Sequence, residues 1–311
     1  MKLAKWHGLG NDYLVLEEAE LPAPLTTDSI VRLCDRHAGV GSDGILLQCA
    51  PTGAVPGAVT RMRGFNPDGS ESEMCGNGIR IFARYLEAMG AVLPGSEFTV
   101  ETLAGAISPR LLGDGMVRVD MGRARFASAN IDLAGLGKGP NDTVVDATLE
   151  AAGGSYRFTF VDVGNPHCII VVDDPSAVDL PAIGPAIEHH PLFPNRVNVE
   201  FIHPEPDGSV RMRVWERGEG ETQACGTGAT AVGAAAVRLG LASSPVTVRL
   251  LGGDLTIEVI TIPEPGASSA TGGHVTGGWR VFKTGPAEEI FTCDLSDELL
   301  RRLAWPAPTI D

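Results

Sequence analysis

Two cysteines stand in matching surroundings, and either could serve as an acid or a base. Residues 61–78 read RMRGFNPDGSESEMCGNG, and residues 211–228 read RMRVWERGEGETQACGTG. The segments align without a gap at an offset of 150, and seven of eighteen positions are identical, among them Arg63/Arg213, Glu71/Glu221 and Cys75/Cys225. Each copy ends in Cys-Gly-x-Gly and runs into an apolar helical pattern. A thiol at a helix entry lies beside free backbone N–H groups and the positive end of the dipole. A stabilisation of up to ~2 kcal/mol for the anion would bring a thiol down from about 8.5 by roughly 1.5 units. The glycines allow close approach of backbone to a ligand, and successive N–H groups form an anion-binding concavity. An α-carboxylate held there would set its Cα beside the sulfur. Either cysteine alone reads as a small buried residue at a tight turn; the same context twice argues otherwise. One thiol per half suits moving a proton from one face of a carbon to the other.

Other polar residues accompany the thiols. Gly10-Asn11-Asp12 precedes a strand-like run, and Gly164-Asn165-Pro166-His167 places Gly-Asn before another. Asn198 lies in RVNVEF, and Glu216-Arg217 leads into Cys225. An asparagine side chain donates to carboxylates and accepts from ammonium groups. Arg217 offers a planar fork for a carboxylate.

The elements that must hold these residues are mostly short strands. Candidate runs are 13–17, 44–49, 97–101, 116–120, 157–163, 168–172, 197–202, 210–215, 246–250, 255–260 and 279–283, bounded by Gly, Pro, Asp and Asn. The clearest helices are 78–89 and 228–239, directly after the cysteines, closing at Gly90 and Gly240. A weaker helix covers 27–37, capped by Thr27 or Asp28, and a short one is expected within 294–303. Stretches 50–59 and 262–278, rich in Pro, Gly, Ser and Ala, read as solvated loops. The pattern predicts an α+β chain of two similar domains born of duplication. A boundary near 127 gives a Cys75 half, 1–127 plus about 286–311, and a Cys225 half, 128–285.

Composition excludes several partners. A net charge of −15 argues against nucleic acid and anionic membrane. No run of 18 apolar residues exists, and the first residues lack the apolar core of a signal peptide, so a cytoplasmic protein is expected. The six cysteines show no C-x-x-C pair and no zinc spacing, and reduced thiols are the expectation. Cys34, Cys49, Cys168 and Cys293 lack the helix-entry glycines and read as inert. His189-His190 has no spaced third ligand, so no metal site is expected.

The set HGLGND, NPDGSESEMCGNG, GNPH and ERGEGETQACGTG resembles the diaminopimelate epimerases, over nearly the whole chain. The resemblance implies two pseudo-symmetric α/β domains, each a curved, mostly antiparallel sheet or barrel around a central helix, with the active site in the cleft between them. It implies epimerisation of LL- to meso-2,6-diaminopimelate without any cofactor, pyridoxal phosphate included, for lysine and cell-wall synthesis. A homodimer is implied as well. Cys75 and Cys225 match the acid/base pair, with Cys225 abstracting and Cys75 donating in the LL-to-meso direction. Asn11, Asn66, Asn165, Asn198, Glu216 and Arg217 match substrate-binding positions. Gly76, Asn77, Gly226 and Thr227 match the backbone cradles, and His167 and Glu216 match positions that tune the thiols. Gly44 falls where some members carry Gln, which would cost one side-chain contact. The alternative is a related racemase acting on proline, hydroxyproline or histidine. A non-catalytic binding protein and a thiol oxidoreductase are the rivals from other classes.

Overall fold

The computed structural model describes residues 1–72, 76–262 and 278–305. Cys75, most of the expected loop 262–278 and the last six residues lie outside the described residues. The chain divides into unit 1, Met1–Val119 with Gly285–Asp311, and unit 2, Asp120–Thr284. Both divisions fall within continuous strands, the first earlier than the boundary expected near 127.

Unit 1 holds β1 (Lys2–Gly8), β2 (Asn11–Glu17), α1 (Thr27–Cys34), β3 (Ile45–Cys49), β4 (Ala58–Phe65), β5 (Glu71–Ser72), α2 (Gly78–Ala88), β6 (Thr99–Thr102), β7 (Gly105–Ile107) and β8 (Pro109–Leu111). The chain crosses along β9 (Met116–Ala124). Unit 2 holds β10 (Ala147–Ala151), β11 (Gly154–Asp162), β12 (Pro166–Val171), α3 (Leu180–Glu188), β13 (Asn198–Pro204), β14 (Val210–Glu216), β15 (Gly220–Glu221), α4 (Gly226–Arg238), β16 (Val246–Leu250) and β17 (Gly253–Ile262). The chain returns along β18 (Gly278–Pro286) to β19 (Glu288–Asp294) and α5 (Asp297–Arg302) in unit 1.

The strand orders repeat. Unit 1 runs β19-β1-β2-β3-β4-β6-β7, and the second sheet runs β10-β11-β12-β13-β14-β16-β17 before continuing through β18 and β9 to β8, as open sheets rather than closed barrels. In each, two neighbour pairs are parallel, β2 with β3 and β4 with β6, then β12 with β13 and β14 with β16. The other pairs along these matching runs are antiparallel. The registers match: Leu14 faces Ile45 as Cys168 faces Val199, and Leu47 faces Arg63 as Phe201 faces Arg213.

Parallel strands buried on both faces carry unbroken apolar runs. Leu14, Leu16, Ile45 and Leu47 share a core with Ile30 and Leu33 of α1. Phe158, Phe160, Val199 and Phe201 share one with Leu180 and Ile187 of α3. The opposite faces receive α2, against β1, β2, β8 and β19, and α4, against β11 to β14, β16 and β17. Small residues let α4 lie close to the strands: a Cβ on Gly233 would come within 2.4 Å of Ile257. The duplicated Arg and Glu earn a structural reading here, because Arg63 grips Glu71 in two hydrogen bonds and Arg213 grips Glu221 likewise. Each ion pair staples the hairpin that precedes a cysteine.

The expected helices form, with Gly90 and Gly240 left-handed at φ 71°. α1 is shorter than expected and is capped by Thr26 through a capping box with Ser29. It stops at Cys34 because the Asp35 carboxylate accepts from the His37 and Ala38 N–H groups, diverting the backbone from the helix. β1, β4, β10, β19 and α3 were not among the expected elements. Among the described residues, no helix is long and apolar enough to cross a membrane.

Candidate active site

In unit 2 the site is built on the entry of α4. Cys225 is the N-cap, and its Sγ accepts from the Gly228 N–H at 3.3 Å and lies 3.6 Å from Thr227 Oγ1. The helix entry favours the anion, yet the thiol is only 3% exposed. Burial, then the Glu216 and Glu200 carboxylates, push Cys225 well above the ordinary thiol value. This corrects the expectation of a lowered thiol. Full burial is worth up to 3–5 units, against roughly 1.5 for the dipole. Glu216 is itself raised by burial, and it accepts from Thr222 Oγ1. Burial and the two carboxylates thus favour the protonated form of Cys225.

Around this thiol the strands deliver the other expected residues. Asn165 Nδ2 donates to Thr227 Oγ1 at 3.3 Å. His167 is fully buried, with Nε2 3.1 Å from Asn165 Oδ1 and Nδ1 2.6 Å from Glu200 Oε1. Asn198 spends both ends on backbone: Nδ2 donates to the Pro166 carbonyl at 3.0 Å, and Oδ1 accepts from the Arg217 N–H at 2.9 Å. It thus ties β13 to the Glu216-Arg217 turn. Asn165 and Arg217, with Asn130, Gly164, Pro166, Pro194, Asn195 and Arg196, line a polar cavity of about 540 Å³. Arg217 reaches the Asn195 carbonyl at 3.0 Å.

In unit 1 the entry of α2 is described from Gly76 onward. Asn77 caps this helix and donates through Nδ2 to Asn11 Oδ1 at 3.2 Å. Asn11 Nδ2 donates in turn to Asp43 at 2.9 Å. The fully buried Arg80 donates to the Gly76 carbonyl at 3.2 Å and to Asn77 Oδ1 at 3.1 Å. Asn11, Gly76 and Asn77 thus form one cluster. Asn66 is exposed and donates to Ser70 Oγ at 3.0 Å. At Gly44 a Cβ would come within 2.4 Å of the Phe65 carbonyl and 2.7 Å of the Tyr13 ring. No larger residue fits there without moving its neighbours. Among the described residues no group of three or more His, Cys, Asp or Glu could hold a metal.

Three residues of these networks were not anticipated. Asp43 anchors Asn11. Glu188, 3% exposed, accepts from Trp215 Nε1 at 2.8 Å and from the Gly218 N–H at 3.1 Å, holding the turn that carries Arg217. Glu200 backs His167. A carboxylate inside the apolar run VNVEFI was a usable signal, since a buried charge needs a partner.

The architecture is shared with solved racemases and epimerases. A hydroxyproline epimerase from Agrobacterium vitis superposes with a TM-score of 0.65 at 16% identity, covering 95% of this chain and 90% of that one. A PhzF-family protein from Bacillus anthracis gives a TM-score of 0.61 at 17% identity, covering 95% and 99%. These likenesses define the fold class, that of the proline racemase and PhzF-like proteins. The family model for diaminopimelate epimerase matches residues 3–127 and 159–275. The diaminopimelate epimerase of Moorella thermoacetica is 44% identical over 94% of this chain and 99% of its own length. That of Nostoc punctiforme is 42% identical over 94% and 98%. The chain belongs to the diaminopimelate epimerase family and is an isomerase.

Proposed function

We propose that this protein interconverts LL- and meso-2,6-diaminopimelate with Cys225 and Cys75 as the two acid/base groups and no cofactor. The observation that carries the reading is the gapless repeat, which sets a Cys-Gly-x-Gly segment of the sequence directly before a buried helix in each half. The α-carboxylate of the substrate rests on the N–H groups of a helix entry. Each well-placed donor is worth ~3–4 kcal/mol to the charge that develops there. The substrate's ammonium groups bring positive charge to the Cys225 surroundings, which favours the thiolate with its proton passed to Glu216. The thiolate then takes the Cα proton, the C–H electron pair passes into the carboxylate, and the Cys75 thiol returns a proton to the opposite face. One turnover in the LL-to-meso direction leaves Cys225 protonated and Cys75 ionised. The product is a precursor for lysine and peptidoglycan.

The second head group of the substrate supplies specificity. The cavity beside Arg217 and Asn165 offers a guanidinium and amides for a distal carboxylate and ammonium. Proline would leave such groups unpaired, at about 1–3 kcal/mol each. Comparing kcat/KM for LL-diaminopimelate, lysine, proline and hydroxyproline tests the assignment. A strong preference for the first is expected; equal values for proline would overturn it in favour of the related racemase.

A further inference from the structure

The two halves differ at a pair of facing strand positions. In unit 1 the residues at the registers of His167 and Glu200 are Tyr13 and Leu46, as the matched strand pairings show. The fold therefore has no need of a polar pair there. Unit 2 nevertheless places His167 and Glu200 in contact at 2.6 Å with both side chains at 0% exposure. Glu200 Oε2 has no hydrogen-bond partner among the described residues. Gly228 makes room for this carboxylate: a Cβ there would come within 2.8 Å of Glu200 Oε1.

The hydrogen bonds fix how many protons the pair holds. Asn165 turns its amide N–H₂ to Thr227 Oγ1, so its Oδ1 faces His167 Nε2. That oxygen only accepts, so Nε2 carries a hydrogen. One further proton then lies between Nδ1 and Glu200 Oε1, whichever atom holds it, and the pair is neutral overall. Neutrality is what complete burial demands.

We infer that Glu200 is a positioning residue for the Cys225 half-site. It holds His167 with Nε2–H toward Asn165, and so turns the Asn165 amide toward Thr227 and the cavity. The inference rests on the proposed epimerase reading for its kinetic consequences but not for its geometry. Glutamine can present its own N–H to Nδ1 and keep Nε2–H in place, whereas leucine cannot.

Two measurements test it. The first is the long-range ¹H–¹⁵N spectrum of histidine-labelled protein, with His167 identified by its absence in His167→Gln. Wild type and Glu200→Gln should show Nε2–H, and Glu200→Leu should lose that fixed state. The second is steady-state kinetics with LL-diaminopimelate. Glu200→Leu should lower kcat/KM by about 10–100-fold, mainly through KM, as loss of an orienting partner does elsewhere. Glu200→Gln should stay within about fivefold of wild type, on the same scale. Adding Glu200→Leu to Asn165→Ala should cost little further, because both act through one amide. A folded Glu200→Leu with wild-type KM, a folded Glu200→Gln as impaired as a full deletion, or costs that multiply would overturn the inference. If wild type fails to turn over diaminopimelate, the epimerase reading falls. The spectra then decide alone, and unchanged His167 signals in Glu200→Leu, or loss of Nε2–H in Glu200→Gln should leucine fail to fold, would overturn the inference.

Discussion

Replacing Glu188 by alanine should loosen the turn that presents Glu216 and Arg217. The carboxylate accepts from Trp215 Nε1 at 2.8 Å, the Gly218 N–H at 3.1 Å and Arg196 at 3.2 Å, while itself 3% exposed. Truncation leaves the indole N–H without its acceptor, at about 1–3 kcal/mol. Gly218 is exposed and recovers a water partner, so its share is smaller. The Arg196 side chain is 51% exposed, and its ion pair contributes ~0–1 kcal/mol. The expected loss is about 1–4 kcal/mol in urea unfolding. Because the freed turn carries Arg217, kcat/KM should fall by about 10–100-fold, as for other displaced site residues. Glu188→Gln keeps one acceptor oxygen and should lie between the two. Stability within 0.5 kcal/mol of wild type (about the scatter of a surface change), with activity unaltered, would refute the reasoning.

The Cys225 thiol should react with iodoacetamide only as pH rises past the ordinary thiol range, and Glu216→Gln should bring that inflection down by removing the nearest carboxylate. An inflection near neutrality in wild type would contradict the burial argument. The same upward shift links to stability. The folded protein holds this proton above the pH at which the unfolded thiol, near about 8.5, releases it. Stability is therefore intact below that pH and falls above it, so Tm measured between neutral and alkaline pH should drop less in Cys225→Ala. Gly44→Ala should destabilise unit 1 by about 1–3 kcal/mol through overpacking against the Phe65 carbonyl and Tyr13, read from urea unfolding.

Much of this was legible because local rules and packing agree. The helices after the two cysteines announce themselves by entry glycines, an apolar face and a closing glycine, and they form where expected. The Gly-Asn loops are likewise visible, since Asn11 and Asn165 each begin or precede a strand. The segment of β4 does not read as a strand on its own, although its counterpart RMRVW in β14 does; the repeat supplies the clue. β19 carries exposed side chains almost throughout and so shows no alternation. The raised thiol was hidden for a different reason. A helix entry is local and readable, whereas the burial that outweighs it comes from strands far away in sequence. Glu188 and Glu200 are similar, because Trp215 and His167, which they hold, lie 27 and 33 residues away and only the fold brings them together.

The most direct test of the two-thiol account follows the Cα–H signal of LL-diaminopimelate by NMR in deuterated water. Wild-type protein, with nothing added, should form the meso isomer and carry solvent deuterium at the inverted carbon. Cys75→Ala and Cys225→Ala should each form no meso isomer while keeping the wild-type circular dichroism. Meso product without deuterium, or turnover surviving in either folded cysteine variant, would contradict the account.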